Sequence, residues 1–385
     1  MGCGSFATLA EEAMSVRLGR VFGIPVEIHA TWIIIFALLT YSIGLGFIAR
    51  VQNDLTTEQA VGYGAIAALA LFICLMAHEL AHALVARKCG IRTGVITLFL
   101  FGGQAQLSRE PDEWSHELAI AIAGPASSIL LALVFVIPYT LLPRESIWCT
   151  VAFYLAFANA LLGAVNLLPG YPLDGGRVLR AILWGISRRR MLATRVATIA
   201  GELIGLATVG YGLLQLIHKD TGGIWLVMIG WYVSDCAYRS WEQERVRHSL
   251  QGLVAAEIVT QKPAPLSPTD TVSKAVENAE STGTKAPLVP VIDETGPVGI
   301  ITSHQAASVP KAKREETRVA DVMEPVDPGI MANPEENAWS IVERLGDMRD
   351  DDAIVVAEGT NVIGIVQKRE LPTLLNSMLH AMAQG

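Results

Sequence analysis

The sequence Leu75-Met76-Ala77-His78-Glu79-Leu80-Ala81-His82-Ala83-Leu84 places three ionisable side chains inside a long apolar run. On a helix, positions four residues apart share one face, so the imidazoles of His78 and His82 can reach one metal ion. Glu79 lies on the adjoining face, where it could take a proton from a water molecule. Ionisable groups inside a membrane span are costly and usually functional. The stretch therefore predicts a metal site within the membrane, although a helix that leaves the membrane here is an alternative.

Apolar runs of membrane-spanning length recur along residues 1–249. Hydrophobic residues make up 51% of the 385 residues and charged residues only 17%, well below the roughly 25% of a soluble domain. The net charge of −8 argues against a nucleic-acid partner. A helix needs about 20 apolar residues to cross the bilayer core. Six runs are predicted to cross it: Ile28–Ala49, Val61–Ala77, Leu118–Leu142, Ser146–Leu173, Val196–Ile217 and Thr221–Ser234.

The lysines and arginines of the connecting loops are divided unevenly between the two sides of the membrane. If the N-terminus is cytoplasmic, the outside loops hold Arg50, Arg144 and Lys219, and all other loop cations of residues 1–249 lie inside. Positive residues concentrate on the cytoplasmic side of membrane proteins. This predicts an even number of spans, both termini in the cytoplasm, and a multi-pass protein of the cytoplasmic (inner) membrane of a prokaryote.

A second stretch, NLLPGYPLDGG at residues 166–176, can supply a further metal ligand. Catalytic zinc is held by three protein ligands and keeps one position open. Asp174 ends the fourth predicted span at a depth comparable to that of His78, and its carboxylate would complete the set. The prolines and glycines of the stretch break the helix and let the chain turn toward the metal. Alone, the stretch is more typical of a loop, but its pairing with the first motif favours a metal site.

The two motifs together resemble the site-2 protease family of intramembrane zinc metalloproteases, over about residues 20–240. The resemblance implies a membrane-embedded protease domain with one zinc ion per chain. It implies the following roles: zinc ligands His78, His82 and Asp174, general base Glu79, and a contact of Asn166 with the substrate backbone or the oxyanion.

Glycines mark two further features near the predicted site. Residues 95–107 are β-branched and aromatic, then contain Gly102-Gly103, then alternate, which predicts a β-hairpin that turns at the two glycines. The hairpin edge could bind an unwound substrate segment by strand addition, with a plain connecting hairpin as the alternative. In the third span, Gly124-Pro125 is also similar to the family and predicts either close helix contact or an ordinary kink.

Residues 250–385 form an acidic region that repeats itself. They carry 11 Lys and Arg against 20 Asp and Glu, whereas residues 1–249 carry 18 against 17. Ala256–Val259 matches Ala320–Met323, and Gly299–Thr302 matches Gly364–Gln367. The region resembles a tandem pair of CBS modules, which predicts a first CBS motif at 250–309 and a second at 310–385.

The CBS resemblance implies an adenine nucleotide as a possible ligand, but the family signature Gly-x-x-Thr/Ser-x-x-Asp is incomplete here. The first copy keeps Thr302 but has Gln305 at the aspartate position, and the second copy has Gln367 and Glu370. Thr302 and Glu370 are therefore the candidate nucleotide-binding residues. A degenerate pair that serves homodimerisation or substrate docking is the alternative.

The sequence thus predicts a multi-pass α-helical membrane protein of about six spans, with a β-hairpin between spans two and three, plus a cytoplasmic α/β tandem CBS module. The expected function is zinc-dependent cleavage of single-pass or membrane-tethered proteins, in or near their transmembrane segment, regulated by the CBS pair. A CBS-regulated divalent-cation transporter and a catalytically inactive scaffold are the alternatives. The apolar outer halves of the spans argue against a transport path.

Overall fold

The computed structural model describes residues 15–52, 54–99, 102–107, 109–250, 252–281, 288–325, 328–346, 348 and 352–375. The chain divides into two compact units, Met1–Glu244 and Arg245–Gly385. The division lies five residues before the sequence-based limit at residue 249, inside the helix that ends the first unit. Each unit is described separately below.

Long apolar helices dominate the first unit. They are α1 (Trp32–Val51), α2 (Thr57–Lys88), α3 (Trp114–Leu141), α4 (Ile147–Asn166), the shorter α5 (Asp174–Ser187), α6 (Arg190–Ile217) and α7 (Gly223–Ser249). Helix α1 includes a π-helical stretch at Ser42–Ile48. Within the described residues, five helices are long and apolar enough to cross a membrane, namely α1, α2, α3, α4 and α6. These helices fit an integral membrane protein.

Two of the predicted spans have different limits in the structure. Residues Ile24–His29 form a strand, so the first span begins at Trp32 rather than at Ile28. Helix α4 ends at Asn166, because the prolines and glycines that follow cannot continue it, and Asp174 begins helix α5 instead of ending the fourth span. The sixth predicted span, residues 221–234, lies mostly within α7 and stays a prediction.

A four-stranded sheet accompanies the helices. Its strands are β1 (Ser15–Val21), β2 (Ile24–His29), β3 (Thr93–Phe99) and β4 (Gly102–Leu107), in the order β1-β2-β3-β4. Strand β2 is parallel to β3, and the other two pairs are antiparallel. Gly102 and Gly103 pair with Phe99 and Leu98, so the predicted turn residues belong to strand β4. Residues 100 and 101, between the strands, lie outside the described residues.

The second unit contains two three-stranded sheets and three helices of six or more residues in its described part. The elements are α8 (Val272–Ser281), β5 (Leu288–Asp293), β6 (Gly296–Thr302), α9 (Ser303–Ser308), β7 (Glu324–Pro325), β8 (Met331–Ala332), α10 (Ala338–Gly346), β9 (Ala353–Glu358) and β10 (Asn361–Gln367). The strand orders are β5-β6-β7 and β10-β9-β8.

The two sequence copies interlock within this unit. Strand β7 belongs to the second copy but pairs with β6 of the first, with Gly299 opposite Pro325. Gln261 of the first copy in turn bridges to Ile365 in β10 of the second. The limit at residues 309 and 310 therefore separates repeats in the sequence, whereas backbone pairing joins the two copies into one α/β body.

Candidate metal centre

Helix α2 and the start of helix α5 bring three potential ligand atoms together. The Asp174 Oδ2 atom lies 3.1 Å from His78 Nε2 and 3.2 Å from His82 Nε2. The two Nε2 atoms are 3.2 Å apart. Both imidazoles are buried. The three residues predicted from the two motifs thus form one cluster, although 92 and more residues separate Asp174 from the histidines.

The Nδ1 atoms of the two histidines have hydrogen-bond partners away from the cluster, and these bonds indicate that the Nε2 atoms face the cluster as acceptors. His82 Nδ1 lies 2.6 Å from the carbonyl oxygen of Ile120. A carbonyl only accepts, so Nδ1 donates, and the Nε2 atom of a neutral imidazole then carries a lone pair. His78 Nδ1 lies 2.9 Å from the buried Ser128 hydroxyl, which can hold His78 in the same tautomer.

The donor set fits a divalent metal ion. Two imidazole lone pairs and one carboxylate oxygen converge, and such atoms repel one another unless a cation lies between them. Two histidines and a carboxylate are also a known ligand set of catalytic zinc. Bonds that orient the far nitrogens of metal-binding histidines are typical of such sites. His78, His82 and Asp174 would therefore hold the zinc ion that the family implies.

Gly124 in helix α3 makes room for the two imidazoles. A Cβ atom at this position would lie 2.6 Å from His78 Nε2 and closer still to His82 Nε2. Helix α3 continues through Pro125 as far as Leu141. Close contact is therefore the correct interpretation of the Gly124-Pro125 pair, and Gly124 contacts the imidazole rings of His78 and His82.

Glycines and one backbone bond also hold the segment that carries Asp174. The Tyr171 amide donates to the Ala197 carbonyl of helix α6 at 3.1 Å. Gly201, one turn further along α6, faces the Tyr171 carbonyl so closely that a Cβ atom would collide with it. Gly175 likewise contacts the carbonyls that end the preceding turn. The breaks in NLLPGYPLDGG thus fold the segment back against α6 and place Asp174 at the start of α5.

Glu79 lies against the edge of the sheet. A Cβ atom on Gly103 would lie 2.5 Å from the Glu79 Cγ atom, so strand β4 can approach this closely because residue 103 is a glycine. Strand β4 is the edge strand in the described sheet order. A carboxylate beside the metal ligands and an open strand edge therefore adjoin each other. Gly102 is the first residue of the same strand.

Two further polar residues of this unit lie in less decisive places. Asn166 is the last residue of helix α4 and is half-buried, and its contact with a substrate stays a prediction. Asp235 forms an ion pair of 2.7 Å with Arg239 on its own helix.

The hydrogen-bond partners of the histidines, Ser128 and the Ile120 carbonyl, carry no motif that singles them out. One weak signal exists, because Ser128 follows Gly124 by four residues and so shares its helix face.

The candidate nucleotide residues of the second unit are bonded within the unit. Thr302 caps helix α9, where its hydroxyl accepts the Gln305 amide at 3.2 Å. The Glu370 carboxylate accepts the Gln261 side-chain amide at 2.6 Å. These bonds give Thr302 and Glu370 a structural role within the unit. A role of either residue in ligand binding stays a prediction.

Comparisons with known proteins identify relatives of both units. The model of peptidase family M50 matches residues 66–144 and 142–209, and the CBS domain model matches residues 254–309. The zinc metalloprotease Rip3 of Mycobacterium tuberculosis is 33% identical over 378 residues, which cover 94% of this chain and 93% of that protein. The zinc metalloprotease MJ0392 of Methanocaldococcus jannaschii is 28% identical, covering 93% and 95%.

A solved structure of a site-2 protease, also from Methanocaldococcus jannaschii, covers 59% of this chain and 95% of its own, at 29% identity and a TM-score of 0.42. The relationship to Rip3 extends over almost the whole of both chains. The sequence-based resemblance is therefore confirmed: the chain belongs to peptidase family M50, the site-2 type of zinc metalloprotease, and it carries a CBS domain.

Proposed function

We propose that the protein is an intramembrane endopeptidase that cleaves membrane-tethered proteins in or near their transmembrane segment. The observation that carries the proposal is the convergence of His78, His82 and Asp174, with Glu79 placed between them and the edge strand β4. A zinc ion held by His78, His82 and Asp174 would supply a Lewis acid for the scissile carbonyl and would make the attacking water more acidic.

The residues of the chain perform the proton transfer and the positioning. Glu79 accepts a proton from the attacking water and later donates it to the leaving amine. The substrate must be extended, because the carbonyls of an intact helix are bonded and shielded. Strand β4 offers the main-chain partners for such an extended segment, and Gly103 lets it lie directly beside Glu79. Asn166 holds the substrate backbone or the oxyanion.

The position of Glu79 favours proteolysis over the transport of a divalent cation. In a transit site, the second carboxylate near the histidines, that of Glu79, would be expected to join the converging ligand atoms. The cluster of converging atoms consists of His78, His82 and Asp174 in the described part of the chain, while Glu79 packs against Gly103. This is the arrangement expected of a base that acts on a substrate strand.

The packing of helix α7 on α6 supports the sixth span. A Cβ atom on Gly212 would lie 2.8 Å from the Gly223 carbonyl, and one on Gly205 would lie 2.7 Å from the Gly230 carbonyl. At the other end, Glu244 forms an ion pair of 3.2 Å with Arg190, the first residue of α6. Helix α7 thus runs antiparallel along the length of α6, and it crosses the membrane if α6 does.

Six spans place the C-terminal unit on the same side as the N-terminus. The distribution of loop lysines and arginines supports the cytoplasm as this side, and the membrane is then the inner membrane of a prokaryote. In this location the CBS pair regulates cleavage, with an adenine nucleotide as the effector to test first. A homodimer through the CBS unit is the assembly we expect.

Metal analysis of the full-length protein in detergent tests the proposal. Wild type, His78→Ala and Glu79→Gln are dialysed against a mild chelator, and zinc per chain is measured. We expect about one zinc per chain in wild type and in Glu79→Gln, and none in His78→Ala. Membrane proteins captured by cross-linking to Glu79→Gln are then offered to wild type in proteoliposomes. Absence of retained zinc in wild type, or captured proteins that wild type leaves intact, would contradict the proposal.

A further inference from the structure

A cluster of five buried or half-buried charged side chains joins four helices in the first unit. Its members, called the Arg–Glu cluster below, are Glu110, Glu117, Arg180, Arg190 and Glu244. Arg180 Nε donates to Glu117 Oε1 at 2.6 Å, and both side chains are almost fully buried. Arg190 pairs with Glu110 and donates to the Pro111 carbonyl at 3.2 Å. The proposed catalytic chemistry uses none of these groups.

Arg180 connects the cluster to the metal ligand Asp174. Both residues lie on helix α5, six positions apart, which is about 9 Å along the axis. The guanidinium of Arg180 also lies over the Tyr171 ring, 5.3 Å from its centre. Tyr171 belongs to the folded-back segment that leads into Asp174. Arg180 therefore contacts this segment on one side of Asp174 and fixes the helix on the other.

Glu117 connects the cluster to the two histidines. It lies one turn before Ile120 on helix α3, and the Ile120 carbonyl accepts the His82 Nδ1–H group. The same helix carries Ser128, the partner of His78. The bond between Arg180 and Glu117 thus fixes the helix that orients the histidines relative to the helix that begins with Asp174.

Glu244 adds helix α7 to this arrangement. Its Oε1 atom lies 3.2 Å from Arg190 Nε, and its Oε2 atom lies 3.8 Å from Arg180 Nη1. The side chain is 6% exposed. Removing its charge leaves two buried guanidinium groups with less compensation, and such groups move or recruit water rather than stay in place. Arg190 and Arg180 both lose a partner, and Arg180 carries the effect to helix α5.

We propose that Glu244 is a positioning residue for the metal centre, acting through Arg180 and helix α5 on Asp174. The inference rests on the proposed zinc site and deepens it by naming a residue outside the ligand set that keeps Asp174 in place. Helix α7 continues from Glu244 to Ser249, and Glu244 is the last residue of the first unit.

Zinc release from the full-length, zinc-loaded protein in detergent tests this role without a substrate. Glu244→Gln keeps the shape of the side chain and removes its charge, and Glu244→Asp keeps the charge. Zinc dissociation into excess chelator and thermal melting of the zinc-free protein are measured on the same samples. We expect Glu244→Gln to release zinc about tenfold to a hundredfold faster than wild type. Glu244→Asp should restore most of the difference.

Asp235→Asn serves as the matched control, because it breaks a more exposed ion pair with Arg239 on the same helix. It should leave zinc release unchanged. If Glu244→Gln melts at a lower temperature but releases zinc at the wild-type rate, Glu244 only stabilises the fold and the proposal is wrong. If Glu244→Gln does not fold, Arg180→Lys is measured instead, because it keeps the charge but loses the paired donor groups that bond Glu117. Zinc release from Arg180→Lys at the wild-type rate would also overturn the proposal. A wild type that retains no zinc would refute the proposed function first.

Discussion

The metal centre and the candidate nucleotide residues of the CBS pair use their polar atoms in opposite ways. At the metal centre, His78 and His82 bond outward through Nδ1, to Ser128 and to the Ile120 carbonyl, and leave both Nε2 atoms facing Asp174. In the CBS pair, the Thr302 hydroxyl is bonded to Gln305, which also caps the helix reciprocally, and the Glu370 carboxylate is bonded to Gln261.

This difference shows what distinguishes a ligand site from a structural motif. The surroundings of the metal centre satisfy the atoms that would not bind a ligand and leave converging acceptors that need a cation. The surroundings of Thr302 and Glu370 satisfy the very atoms that would bind a nucleotide. A ligand at the second site would have to replace existing bonds, and the gain would be correspondingly smaller.

The largest effect should follow from filling the space above the histidines. Gly124→Ala places a Cβ atom 2.6 Å from His78 Nε2, so the rings or helix α3 must move. Since loss of an outer partner alone typically costs about tenfold to a hundredfold in metal affinity, we expect a loss beyond this range. Chelator competition, with zinc per chain as the readout, measures it.

Gly62→Ala is the control for this substitution. Gly62 lies in helix α2, and a Cβ atom there meets no other atom within 4 Å. Alanine is the better helix former by up to about 1 kcal/mol, so the variant should bind zinc like wild type and be at least as stable. Equal zinc affinity of the two variants would show that the close approach of helix α3 does not define the metal centre.

A smaller effect should follow from removing the partner of His78. Ser128→Ala deletes the hydroxyl that lies 2.9 Å from His78 Nδ1 in a buried place, and zinc affinity should fall by about tenfold to a hundredfold. The adjacent Ser127→Ala is the matched control, since the Ser127 hydroxyl bonds the Gly124 carbonyl of its own helix at 2.7 Å. If both variants bind zinc equally well, the bond between Ser128 and His78 does not support zinc binding, and the contrast drawn above with the CBS residues fails.

The sequence predicted that His78, His82 and Asp174 converge. It could do so because helix geometry and the cost of burying ionisable groups constrain these few residues directly. Positions 78 and 82 must share a face, and ionisable groups in a membrane helix need a compensating partner. Asp174 followed from the ligand count, and the prolines and glycines before it predicted a turn. The new helix α5, which begins at Asp174, was not foreseen. The supporting Ser128 and Ile120 carbonyl depend on how α3 packs on α2, which periodicity does not specify.

Strand β2 shows a different limit of prediction from the sequence. The run at residues 24–29 merges with the first apolar span, and a short apolar segment does not reveal whether it is strand or helix. Strand pairing with β3 decides it, with Val26 opposite Ile96. In the second unit, the repeat revealed two copies, but the exchange of β7 between them depends on contacts between distant residues.

A still smaller effect tests whether Thr302 of the CBS pair is a structural residue rather than a ligand residue. Thr302→Ala removes the cap of helix α9, and loss of such a cap typically costs about 0.5–2 kcal/mol of unfolding free energy. Denaturant unfolding of the C-terminal unit measures the loss, and Thr302→Ser should retain most of the stability. Titration with ATP should give the same result for Thr302→Ala as for wild type. A variant of normal stability that has lost ATP binding would make Thr302 a ligand residue instead.

The smallest effect concerns a carboxylate with purely local bonds in the CBS unit. The Lys274 ammonium group, 2.9 Å away, and the Ser267 amide lower the pKa of Asp270 below its ordinary value. A carboxyl group whose folded-state pKa is lowered adds stability above its unfolded-state pKa, and this stability is lost as the pH falls through the folded-state value. Asp270→Asn should therefore flatten the fall in melting temperature of this unit below about pH 4. The change will be small, because the pair is partly exposed and such pairs contribute little.

Glu358→Gln, at an exposed position of the same unit, is the control. Identical acid profiles for wild type and both variants would show that the bonds of Asp270 do not stabilise the unit.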